Sequence, residues 1–162
     1  MKDLLLKLKA CKEAVEWAGN KTAEEIIDTC HRGDWLLWLA YKLEVDDRPL
    51  MLAKGHCANT VRHLMKDERS VEAAYAAIAY GNGEISKEEL NVAAYASYDA
   101  YYSAASAAYS AADAAAAYSA ADAAYSADAA YYAAAAADSK SNQIETADIC
   151  RKYLGKLILE KL

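Results

Sequence analysis

Apolar residues recur at helical spacing through the first half of the chain, and short breaker sequences separate the runs. Leu4, Leu8, Cys11 and Val15 share one helical face that ends at Gly19-Asn20. Thr22 followed by Glu25 forms a capping box, in which each side chain satisfies the other's free backbone N–H. It opens a short helix through Ile26, Ile27 and Cys30 that stops at Gly33. Asp34 is placed to cap the next run, Trp35 to Tyr41, which is apolar around most of its circumference and therefore expected at the centre of the fold. Asp46 or Asp47, with Pro49 in the first turn, starts a helix running to about Met65. Ser70 opens another through Tyr75 and Ile78, closed by Gly81-Asn82-Gly83. No alternating strand pattern occurs.

Ser86 and Glu89 make a second capping box, with Ile85 and Leu90 as its hydrophobic staple. Beyond it, Ala93 to Asp138 uses only Ala, Tyr, Ser and Asp. Disordered segments are rich in Pro, Gly, Glu and Lys and poor in aromatics. This tract instead pairs the best helix former with a bulky aromatic, so helix is expected. An unbroken helix to the polar Ser139–Asn142 run would be about 78 Å long at ~1.5 Å per residue. Tyr95, Tyr102 and Tyr109 recur every seven residues, as do Tyr118, Tyr125 and Tyr132, but the step between the two rows is nine. On one helix the rows would face opposite ways; a hairpin turning near Asp113 would bring them onto a common face. Gln143–Leu162 then supplies a final amphipathic helix carrying Ile144, Cys150, Leu154, Leu157 and Leu162.

The expected architecture is all-α, a single-domain bundle of about seven or eight helices over residues 1–162. Residues 1–83 form a short-helix core, 84–138 the Ala/Tyr/Ser/Asp region, and 143–162 the closing helix. A chain of this length can bury a real core. Phe is absent, and Ala and Tyr supply much of the 56% apolar content. An Ala methyl contributes about 0.8 kcal/mol against about 1.5–3 kcal/mol for a buried Leu or Ile. The strong core is therefore expected from the flanks of the tract, with Trp17, Trp35 and Trp38 as anchors.

Charge narrows the choice of partner. The net charge is −6, and no Lys or Arg lies between Lys87 and Lys140, where Asp99, Asp113, Asp122, Asp128 and Asp138 fall. Nucleic acid and anionic membrane both require basic surface, so neither is expected. Leu4-Leu5-Leu6 is interrupted by Lys7 and Lys9 and makes no secretion signal. The tract is too polar to span a bilayer. Cys11, Cys30, Cys57 and Cys150 contain no C-x-x-C and sit on apolar stripes, reading as buried small hydrophobes in a reducing cytoplasm.

Three Tyr–Asp pairs lie four residues apart, on shared helical faces: Tyr95/Asp99, Tyr109/Asp113 and Tyr118/Asp122. Such a surface suits protein recognition, because Tyr gives large contact area at low entropic cost and Asp pairs with Lys or Arg. Cys30-His31 and His56-Cys57 are adjacent pairs, so each helix presents one ligand comfortably rather than two, and zinc spacing is missing. His56 and His63 share a face with Asn59, as surface polar residues do. There is no G-x-S-x-G and no glycine-rich phosphate loop. The tract has no Thr row of the kind a flat ice-binding face would need. No catalytic group, metal or cofactor is expected.

Cys11-Lys-Glu-Ala-Val-Glu-Trp17, Cys30-His-Arg-Gly-Asp-Trp-Leu-Leu-Trp-Leu-Ala40, the Ala/Tyr/Asp tract and Ala147-Asp-Ile-Cys-Arg-Lys-Tyr-Leu154 occur in that order. In this order they resemble a family of small bacterial and phage-borne proteins of immunity type. The resemblance implies a cytoplasmic protein that neutralises a partner by binding it. On that reading the partner is a basic toxin or effector, met by the acidic Tyr/Asp surface. Alternatives are a phage-encoded inhibitor of a host defence protein, and a structural module that self-associates into a homo-oligomer through the hairpin.

Overall fold

The computed structural model describes residues 1–65, 67–96 and 140–162, and these are all-α, with no strand among them. In chain order the elements are α1 (Lys2–Lys7), α2 (Lys12–Ala18), α3 (Ala23–Thr29), α4 (Gly33–Lys42) and α5 (Asp47–Asn59). A 3₁₀ turn, Arg62–Leu64, leads to α6 (Glu68–Asn82); α7 covers 87–96, and α8 is Lys140–Lys161. The expected hairpin near Asp113 falls outside the described residues.

Both capping boxes form. Thr22 Oγ1 accepts from Glu25 N at 3.2 Å and Glu25 returns the bond to Thr22 N at 2.8 Å. Ser86 and Glu89 do the same at 3.2 and 2.8 Å. These are local arrangements of residues three apart, which is why sequence alone identifies them.

Other boundaries shift. The face Leu4/Leu8/Cys11/Val15 is split between two helices, because Lys9 adopts φ 64° and ends α1. Cys11 becomes the exposed N-cap of α2 rather than a buried hydrophobe. Asp34 does not cap α4: Arg32 holds the N-cap position, Gly33 is the first helical residue, and Asp34 binds Arg32 instead. α5 ends at Asn59, short of Met65. Asp67, not Ser70, caps α6, accepting from Arg69 N at 3.0 Å, and Ser70 is buried within the helix. Arg69 also holds the Asp67 carboxyl below its ordinary pKa. α8 already includes Lys140, ahead of the expected Gln143.

Two apolar clusters form. The larger joins α1–α5 and α8 through residues such as Leu5, Ile27, Leu36, Leu37, Leu50, Leu154 and Ile158. The smaller joins α5, α6 and α7 through Met51, Ala74, Ala77, Tyr80, Leu90 and Ala94. Ile85 packs beside Leu90 in it, as the staple requires. α5 contributes to both, so it lies between them, and seven of its residues from Leu50 to Ala58, Lys54 included, are buried. Its close approach to α6 depends on Gly55, where a Cβ would stand 2.9 Å from the Ala74 carbonyl oxygen. α4 reaches α8 in the same way, since a Cβ on Gly33 would lie 2.5 Å from Thr146 Oγ1. The buried stripe of α8 is Thr146, Ala147, Cys150, Leu154 and Ile158; Ile144 and Leu162, expected on the apolar face, are exposed.

Candidate functional site

α2 and α4 bring the Trp17 and Trp35 rings into contact, with centroids 5.8 Å apart and planes tilted 57°. His31, in the connection before α4, closes against both rings at 6.0 and 6.3 Å. Trp17, Trp35 and Trp38 line a cavity of about 510 Å³ together with Leu5, Ala10, Ala14, Ile26 and Leu39. All three tryptophans of the chain therefore meet here, half-buried and packed on the edge of the larger cluster. They anchor the core by one side only; an indole is often too large for complete burial, and here its remainder walls a cavity.

The polar part of the cavity is Glu13, Arg32 and Asp34. Arg32 Nε donates to Asp34 Oδ1 at 2.8 Å and Nη2 to Oδ2 at 2.7 Å, a fork-on-fork pair. Asp34 is only 7% exposed and the Arg32 side chain 17%. The pair raises the Arg32 pKa further above its ordinary value. The guanidinium also lies 4.7 Å from the Trp35 ring centre, and Lys21 Nζ 4.4 Å from that of Trp17. Arg32 Nη1 is 3.8 Å from Glu13 Oε1, close enough for an ion pair but too far for a hydrogen bond. The Glu13 side chain is 73% exposed.

The buried thiols form a separate group. Cys57 Sγ and Cys150 Sγ are 3.9 Å apart across the α5–α8 contact, and Cys150 also reaches the Gly33 carbonyl at 3.5 Å. Burial pushes the Cys150 thiol well above its usual range, with the Cys57 sulfur adding to the shift, and burial also raises that of Cys30. Both are thus held protonated at neutral pH, the unreactive form. His56 stacks on Tyr153 at 4.9 Å with an interplanar angle of 5°, its Nε2 3.1 Å from the Tyr153 hydroxyl. His63 is in the 3₁₀ turn, not on α5, so the expected shared face with His56 and Asn59 is interrupted. Among the described residues no group of three or more His, Cys, Asp or Glu could hold a metal ion. None of their helices is long and apolar enough to cross a membrane.

Of the residues expected to meet a partner, Tyr95 lies on α7 and is 66% exposed. Asp99, Tyr109, Asp113, Tyr118 and Asp122 lie outside the described residues. The tryptophan cleft was not among the expected sites. Its components are Glu13 and Trp17, four apart on α2, and Arg32 and Trp35, three apart at the start of α4; no local spacing links the two pairs. The one local clue is Arg32 two residues before Asp34, inside the Gly33-Asp34-Trp35 block. Compared with protein-family models, curated protein sequences and solved structures, the chain matches none.

Proposed function

We propose that this chain is a non-enzymatic binding protein of immunity type. It neutralises a basic protein effector through the acidic surface carried by Tyr95, Asp99, Tyr109, Asp113, Tyr118 and Asp122. The observation that carries the reading is the stretch between Lys87 and Lys140, which holds five aspartates, Glu88 and Glu89, and no Lys or Arg. A surface of one sign attracts a partner of the other and speeds their encounter.

The rest of the molecule supports a scaffold role. Several of its ionic groups are matched internally: Arg32 to Asp34, Arg69 to Asp67, Arg151 to Asp148, and Lys87 to Asp47 at 2.6 Å. Tyr80 donates to the same Asp47 at 3.1 Å, and Arg48 donates to the Tyr80 carbonyl at 2.7 Å, tying α5, α6 and α7 together at the start of the acidic run.

Capture of partners from the native host, followed by mass spectrometry, should identify a basic protein. Its binding should weaken steeply with added salt. The double substitution Asp113→Lys/Asp122→Lys should reduce affinity and flatten that salt dependence. Unchanged binding and unchanged salt sensitivity would show that the acidic surface is not the contact.

A further inference from the structure

We infer that the tryptophan cleft is a binding site for a flat aromatic monocarboxylate, its ring against the indoles and its carboxylate on Arg32. The cavity, about 510 Å³, is of the size that small ligands occupy, roughly 300–1,000 Å³. Its lining has the usual composition of such sites, apolar and aromatic with a few placed polar groups.

The chemistry of the ligand follows from the state of Arg32. Asp34 takes Nε and Nη2, while the carboxylate paired with Nη1 among the described residues is that of Glu13, at 3.8 Å. A guanidinium carries five N–H donors, and among the described residues no carboxylate lies within hydrogen-bonding reach of the two on Nη1. Glu13 shows that a second carboxylate fits beside this guanidinium. It is itself a weakly held, solvent-exposed partner, of the kind that contributes little, so a ligand carboxylate able to approach closer displaces it into water. Arg32 stacked over Trp35 extends the aromatic floor directly to the charge, which suits a ring joined to a carboxylate by a short link. An aromatic cation is disfavoured by charge, because Lys21 Nζ and the Arg32 guanidinium already lie 4.4 and 4.7 Å from the Trp17 and Trp35 ring centres.

Since the only tryptophans of the chain are the three lining the cleft, their emission reports on this site alone. The test titrates the full chain with phenylacetate, phenylacetamide and phenethylamine, following tryptophan emission and the heat of binding. Phenylacetate should change the emission and bind at least about tenfold more tightly than phenethylamine, as a charge-assisted Arg contact demands. Glu13→Gln, on an exposed side chain, removes the competing carboxylate and should tighten phenylacetate binding by about twofold to fivefold. Ala14→Leu fills the cavity and should abolish it, with the helical circular dichroism kept in both variants. Three results would overturn the inference: no response to phenylacetate, equal or tighter binding of phenethylamine, or phenylacetate affinity left unchanged or weakened by Glu13→Gln. None of these residues belongs to the proposed acidic surface, so either reading can fail without the other.

Discussion

Lys9 and Glu44 have positive φ, 64° and 53°, where a side chain costs about 1–2 kcal/mol relative to the right-handed region. Both follow a helix end closed by the same pair of bonds. Ala10 N binds Leu5 O at 2.9 Å and Lys9 N binds Leu6 O at 3.0 Å; Val45 N binds Ala40 O and Glu44 N binds Tyr41 O at 3.0 and 3.1 Å. Gly83, at φ 82°, closes α6 with the equivalent bonds to Ala79 and Tyr80. These are three Schellman endings, and glycine stands at only one of them. The Gly83 stop was therefore legible in the sequence, whereas nothing about Lys9 or Glu44 announces a left-handed residue. What holds them there is the following apolar residue, clearest at Val45, which is buried in the larger cluster beside Ala40. Lys9 is exposed, so Lys9→Gly removes the strain without removing a packed side chain. The substitution should raise stability by roughly 0.5–1 kcal/mol after the added flexibility of the unfolded chain is counted, read as a higher urea midpoint at unchanged slope.

Among the elements, α4 was expected to be central from its apolar circumference, and it is well buried, but α5 is the helix that joins the two clusters. Its sequence conceals this. Gly55, Ala53 and Ala58 add little hydrophobicity and act by letting neighbouring helices come close, so the burial comes from fit rather than from an apolar stripe. The contact of α5 with α8 also places His56 on Tyr153, and partial burial, aided by Lys152, lowers the His56 pKa below its ordinary 6.5. The folded protein thus favours the neutral ring. Its contribution to stability is complete above about pH 6.5, the unfolded value, and is lost as the pH falls through the lower folded value. Urea denaturation between pH 8 and pH 5 should show stability declining with acid. His56→Gln should make that decline shallower, and an identical slope in the variant would remove His56 as its source.

For the molecule as a whole, the cysteines report on how completely the core closes. Cys30, Cys57 and Cys150 are buried and Cys11 is exposed, although all four read alike in the sequence. An aromatic disulfide reagent should therefore modify Cys11 rapidly in the native protein and the other three only when the chain unfolds; rapid native reaction of a second thiol would show that the core opens. The amino-acid sequence by itself determined the helical class, the helix starts at Thr22 and Ser86, the stop at Gly83 and the acidity of the second half. Each of these rests on composition or on hydrogen bonds between residues a few positions apart. Tertiary structure decided the rest: the left-handed ends at Lys9 and Glu44, the central place of α5, the protected state of three thiols and the gathering of Trp17, Trp35, Trp38 and Glu13 around Arg32. Those outcomes depend on contacts such as Gly33 on Thr146 and Gly55 on Ala74, 113 and 19 positions apart in the chain, where backbone proximity sets the fit and no local pattern records it.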